Sequence, residues 1–149
     1  MSTGNSYWKP IEIRWSDLDP NFHVRHSAYY DMGAFSRISF LTENGLTPAL
    51  MQELQLGPVL LREECVFRKE IHFSDPVRIN VSLQKITADG KRWTMIHEIF
   101  THTHTLSAVI TVEGAWLDTV RRKLIAPPAS ILALFSKIPL HPDFQQMPS

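Results

Sequence analysis

The stretch SAYYDMGAFSRISFLTE, residues 27–43, decides the fold. Ala28, Met32 and Phe35 recur at i, i+4 and i+7, and Ala34, Ile38 and Leu41 form a second apolar stripe beside them. Tyr29 and Phe40 add apolar surface, and the only charges are Asp31, Arg37 and Glu43. A helix apolar on most sides must be buried. Asn44-Gly45 ends it, because glycine takes the left-handed closing conformation at low cost. Thr47 and Pro48 then have the cap and first-turn chemistry of a short second helix running to about Leu56.

Outward from this helix the text is strand-like. Upstream, WKPIEIRW (8–15) alternates Ile11, Ile13 and Trp15 with Glu12 and Arg14, the period of a half-buried strand with Pro10 at its start or edge. Residues 1–7 are small and polar and read as loose. Downstream, residues 59–72 are rich in Val, Leu and Phe, and Val77, Ile79, Val81 and Leu83 alternate cleanly with polar residues. Asp89-Gly90 marks a hairpin, and Trp93–Thr101 and Ser107–Leu117 read as two more strands. Ile131, Leu134, Phe135 and Ile138 sit at helical spacing, so a C-terminal helix is expected at about 128–138, followed by an irregular tail over 139–149. One helix cannot cover a flat five-stranded sheet with apolar residues on both faces. The consistent solution is an α+β domain in which a curved antiparallel sheet wraps the long helix and a second chain covers the spare apolar surface.

Composition bounds the function. The 149 residues fit one domain, with 44% apolar and 20% charged residues. Lys plus Arg and Asp plus Glu are both 15, so the charge excess that duplex DNA binding requires is missing, and no nucleic-acid partner is expected. The single cysteine, Cys65, rules out an internal disulfide and reads as a buried inert thiol. With no signal-like or membrane-spanning apolar run, a cytoplasmic protein without membrane association is expected.

The chemistry-bearing segment is Asp17-Leu18-Asp19-Pro20-Asn21-Phe22-His23-Val24, between the first strand and the helix. A carboxylate here can act as a base toward water or attack a carbonyl itself. An imidazole four residues away can share the proton, an amide can hold the water, and a helix start suits a developing oxyanion. The competing structural role is that Asp19 and Asn21 only cap the helix. His97, His102 and His104 do not share one strand face, so they make a poor metal set and no metal is expected. Trp8, Trp15, Trp93 and Trp116 all fall on expected strands and read as core or interface residues.

RWSDLDPNFHVRHSAYYDMGAFSR (14–37) resembles the opening of hotdog-fold acyl thioesterases, the group of 4-hydroxybenzoyl-CoA and acyl-ACP thioesterases. Asp17, Asp19, His23, Val24, Tyr29 and Arg37 match the family pattern, and VFRKEIHFSDPVRINV (66–81) is similar to its second strand, turn and third strand. Phe22 stands where many members have Gly, Arg25-His26 where Asn-Asn is usual, and Ala34 where a helix carboxylate is common. The resemblance implies a single hotdog domain over 1–149 with its core at about 8–120. It implies hydrolysis of an acyl-CoA or acyl-carrier-protein thioester without a cofactor. Asp19 would be nucleophile or general base, with His23 and Asn21 assisting and the His26 backbone N–H in the oxyanion hole. A homodimer or homotetramer with its site between subunits is implied as well. Arg121-Arg122-Lys123, the one basic triplet, could meet the phosphates of CoA or the acidic face of a carrier protein, or be a solvated turn. Two alternatives remain open: an enoyl-thioester hydratase on the same fold, and a non-catalytic acyl-thioester binder. The four-residue step from Asp19 to His23, with Pro20 before Asn21, favours hydrolysis over hydration.

Overall fold

The computed structural model describes residues 6–149. Its first elements are strand β1 (Trp8–Ile11), a single 3-10 turn (Trp15–Asp17), helix α1 (Ala28–Glu43) and helix α2 (Pro48–Glu53). There follow β2 (Leu56–Phe67), β3 (Val77–Asn80), β4 (Ser82–Thr87), β5 (Arg92–Thr101), β6 (Thr105–Asp118) and β7 (Lys123–Leu124). Helix α3 (Ala129–Phe135) and β8 (Leu140–Met147) complete the chain. β6 pairs β2 on one side and β5 and β7 on the other, β5 pairs β3 and β4, and these pair β1 and β8 respectively. Several strands are interrupted versions of one, so the segments occupy the five sheet positions that the sequence predicts. This curled sheet around a long helix is the hotdog fold.

α1 runs across the concave face. Its buried side is Ala28, Tyr29, Met32, Gly33, Ser36, Arg37, Phe40 and Leu41, two adjacent rows on one face. Gly33 allows the close approach, since a Cβ there would stand 3.3 Å from His97 and 3.4 Å from Ile110. The expectation of a helix buried on most sides is corrected: Ala34, Phe35 and Ile38 face outward, while Ser36 and Arg37 face in. The inward polar residues have partners. Arg37 Nη1 donates to His97 Nε2 (3.0 Å), and His97 Nδ1–H donates to the Asn80 carbonyl (2.9 Å). A guanidinium only donates and a carbonyl only accepts, which fixes the neutral His97 tautomer. Burial, reinforced by the charge of Arg37, pushes the His97 imidazole down to about 3.

α3 covers the other end of the same face, where Phe135 meets Trp93 and Trp116 at ring distances of 5.7 and 5.6 Å. Thr47 caps α2 by accepting from the Leu50 N–H, with Pro48 in the first turn, and Gly45 closes α1 at φ +94. The alternation from Val77 to Leu83 holds, all four apolar residues being buried.

Four further expectations need correction. The tail is not irregular: β8 lies parallel to β4, from Leu83↔Leu140 to Thr87↔Met147, using the strand edge beyond the end of β1. The first strand stops at Ile11, and Trp15 lies in the 3-10 turn at 71% exposure, outside both strand and core. Cys65 is half-buried on β2 rather than enclosed, although burial still pushes its thiol up to about 11. The looseness expected of residues 1–7 fails at Tyr7, whose ring packs on Phe40 and whose hydroxyl donates to Glu43; residues 1–5 lie outside the described residues. No helix among the described residues is long and apolar enough to cross a membrane.

Candidate active site

The 3-10 turn anchors the site loop. Asp17 is buried, and its carboxylate accepts from the Arg14 backbone N–H (2.9 Å) and from Arg14 Nη2 (2.9 Å). Burial pushes this carboxyl up, but the Arg14 hydrogen bonds outweigh it and hold the group below the usual carboxylate range. The Asp17 carbonyl also accepts from the Arg25 N–H (2.7 Å), closing the loop at its base. Asp17 is therefore an anchor.

Between these points the chain makes a hairpin closed by the Leu18↔Val24 bridge. Its tip is a β-turn in which the Phe22 N–H donates to the Asp19 carbonyl (2.9 Å). Asp at the first and Pro at the second position are the residues such a turn favours, and the fourth position favours glycine. Phe22 occupies that fourth position at φ +66, so the departure from the family's Gly is a left-handed residue carrying a side chain. Asp19 Oδ1 accepts from the backbone N–H groups of Asn21 (2.9 Å) and His23 (3.1 Å). The helix-cap role is excluded for both Asp19 and Asn21, because Ser27 occupies the N-cap of α1. Asp19 Oδ1 instead braces its own turn, and among the described residues no hydrogen bond falls on Oδ2.

The second arm of the hairpin lies against residues 70–72. Val24 N–H donates to the Ile71 carbonyl (2.8 Å), and His23 and His72 face each other across a bridge. Ile71 is fully buried, which turns Glu70 and His72 outward on the same side. His23 Nδ1 thereby comes 2.9 Å from Glu70 Oε2. The contact sets a carboxylate oxygen beside Nδ1 and leaves Nε2 on the other side of the ring.

A cavity of about 560 Å³ opens here, lined by Asp19, His23 and His26 from the loop, Tyr29 from α1, and Phe67 to Glu70 from the end of β2 onward. Tyr29 packs edge-on against Phe67 at 5.0 Å, and burial pushes its phenol up to about 12, so it is a neutral wall. The His26 N–H has no protein acceptor among the described residues, consistent with a donor facing the cavity at the entry to α1. The structure thus brings Asp19, His23 and His26 together. Asn21 is exposed at the hairpin tip and does not line the cavity. Arg121, Arg122 and Lys123 form the exposed turn into β7 at the far end of β6. β2, with 12 residues from Leu56 to Phe67, separates that turn from the cavity by roughly 35–40 Å.

Three residues at the site escape sequence reasoning: Glu70, Arg68 and Lys69. The available signal was the triplet Glu70-Ile71-His72, an apolar residue between two polar ones. What it faces is set by pairing with His23, far away in sequence. His102 and His104 lie in the turn from β5 to β6 rather than on a strand face, away from the fully buried His97.

A family model for the thioesterase-like superfamily matches residues 13–135. The chain belongs to the thioesterase-like superfamily, whose named activity is thioester hydrolysis. No curated protein sequence matches it. Among solved structures, it is similar to the hypothetical protein SAV2348 from Staphylococcus aureus in complex with CoA, with TM-score 0.82 and 17% identity, covering 89% of this chain and 82% of that one. It is similar to a DHNA-CoA thioesterase from Staphylococcus aureus, with TM-score 0.80 and 18% identity, covering 89% of each chain. It is also similar to Slr0204, a 1,4-dihydroxy-2-naphthoyl-CoA thioesterase from Synechocystis, with TM-score 0.79 and 16% identity, covering 89% of this chain and 97% of that one. At these identities the likeness is one of fold.

Proposed function

We propose that this chain hydrolyses an acyl-CoA thioester, with Asp19 as general base. The observation that carries the reading is the cavity holding Asp19, the His23–Glu70 pair and the His26 N–H side by side. With Oδ1 held by two backbone donors, Oδ2 is placed to take a proton from water. The water oxygen bonds to the thioester carbon, and the carbonyl oxygen becomes an oxyanion next to the His26 N–H. Collapse breaks the C–S bond, and the departing thiolate takes up the proton, giving acid and thiol. His23 Nε2, aligned by Glu70, positions the water or relays that proton. A well-placed oxyanion donor contributes about 3–4 kcal/mol to such a step.

Arg68 and Lys69 at the cavity rim favour CoA, whose phosphates they can pair, as the thiol carrier. A homodimer fits the same picture. β2 pairs only β6, so one long edge is open, and Leu60, Leu61, Val66 and Phe67 are each about half exposed on it. Antiparallel pairing of this edge with a second copy would bring that copy's Arg121–Lys123 turn toward the cavity end of β2. Such an assembly would give the basic triplet a role that one chain cannot.

The test is thiol release from short, long and aromatic acyl-CoAs, and from an acyl-carrier protein, with molar mass measured in parallel. Turnover of acyl-CoA by a dimer supports the proposal. A folded chain that releases thiol from no acyl-CoA overturns it, and release only from the carrier protein moves the substrate to that class.

A further inference from the structure

We propose that His23, Glu70 and His72 form a binding site for a divalent transition metal ion of the zinc class. One ligand atom from each residue lies within 4.8 Å of the other two. Four bonds of zinc length in a tetrahedron put ligand atoms about 3.3 Å apart. His23 Nδ1 and Glu70 Oε2, at 2.9 Å, are already at nearly that spacing. The His72 imidazole lies within 4.8 Å of both, and its side chain is more than half exposed.

Backbone geometry sets up the site. The His23↔His72 bridge places the two imidazoles directly across from each other, with ring centroids 4.9 Å apart. Glu70 is two residues from His72 on the same side of an extended segment, held by the buried Ile71 between them. Behind His72 stands an outer partner. Asp75 Oδ2 accepts from the His72 backbone N–H (2.8 Å) and lies 3.4 Å from His72 Nδ1. A carboxylate beside Nδ1 is the kind of outer partner that orients metal-ligating histidines. Asp75 is itself held from its other oxygen by His102 Nε2 at 3.3 Å.

Two imidazoles and one carboxylate select borderline ions such as Zn²⁺ over Mg²⁺ or Ca²⁺, which prefer all-oxygen sets. Three protein ligands leave a fourth position for water. Metal ligation needs unprotonated imidazoles, so affinity falls as pH falls. The ion would clamp the catalytic hairpin to the segment after β2 and fix His23 in place. The expected consequence is inhibition, and that consequence alone rests on the thioesterase reading; the binding does not.

The test uses the full chain, stripped with a chelator and dialysed. Cobalt(II) is titrated while its visible d–d absorption is recorded, and ZnCl₂ is titrated by calorimetry, for wild type, His72→Ala, Glu70→Gln and, as a distant control, His104→Ala. The expected result is one ion per chain, a tetrahedral cobalt spectrum, and affinity lowered at least about tenfold in His72→Ala and Glu70→Gln but not in His104→Ala. Circular dichroism verifies that each variant is folded. No saturable binding by wild type, or equal affinity in all four proteins, overturns the site. If acyl-CoA turnover is found, the ratio of activity with and without zinc should approach one in His72→Ala. If none is found, the cobalt and calorimetric results still decide the proposal.

Discussion

Lowering the pH from 6.5 to 4.5 should cost this protein stability through His97. In the folded chain His97 is fully buried, and that burial, reinforced by Arg37, pushes its imidazole down to about 3. In the unfolded chain the same imidazole protonates near its ordinary value of about 6.5. Between these values the unfolded state binds a proton that the folded state refuses, so stability falls by about 1.4 kcal/mol per pH unit. Half of the unfolded chains are already protonated at pH 6.5, so the loss down to pH 4.5 is roughly 2–2.5 kcal/mol. The contribution gains its last roughly 0.4 kcal/mol above pH 6.5 and is flat from about pH 7.5. The matched variant is His97→Gln, whose amide can donate to the Asn80 carbonyl and accept from Arg37 without titrating. Urea unfolding of both proteins at half-unit pH steps gives the difference, in which the remaining histidines cancel. The wild-type advantage should shrink steadily toward pH 4.5. A difference that stays constant across the window would mean that His97 titrates alike folded and unfolded, and would refute the buried Arg37–His97 pair.

At Gly114 an added Cβ would stand 2.3 Å from the Trp93 ring, which is wedged against Phe135, so Gly114→Ala should destabilise by about 3 kcal/mol or more. The offending atoms belong to the six-membered ring of the indole; Trp93→Phe should therefore rescue part of the loss, with a coupling above about 1 kcal/mol in a double-mutant cycle, and strict additivity would contradict this packing. Phe22→Gly should stabilise by about 1 kcal/mol, measured by urea midpoint, because relief of the left-handed strain outweighs the entropy of glycine at an exposed site. A lower midpoint would show that the Phe22 ring, 6.1 Å from Trp15, contributes more than its backbone costs.

Local chemistry made much of this molecule legible in sequence. The stop at Asn44-Gly45, the Thr47-Pro48 helix start and the alternation from Val77 to Leu83 each follow from residues that set backbone angle or face directly. What failed depended on distant partners. Arg37 is polar and yet faces inward, because His97 waits 60 positions away and Gly33 brings the helix close enough to reach it. Phe35 and Ile38 are apolar and yet face outward, because the sheet covers only one side of α1. β8 carries Pro142 and no clean alternation, so it reads as tail; it forms because β4 has an unpaired edge to offer. Asp19 and His23 stood out as candidates because they share one short loop segment, and their proposed roles came from the family resemblance. Glu70 did not stand out, since it joins His23 through a bridge between two segments nearly fifty residues apart.

The proposed chemistry places Asp19 at the reacting atoms and Asp17, two residues earlier, in the scaffold. Steady-state thiol release by wild type, Asp19→Asn and Asp17→Asn on the best acyl-CoA of the panel tests that division directly. Asp19→Asn should lower kcat by about 10²–10⁴-fold with KM and unfolding midpoint little changed, the loss expected when a general base is removed. Asp17→Asn should lower the unfolding midpoint while keeping most of kcat in the folded protein. Full turnover by a folded Asp19→Asn protein would contradict the account.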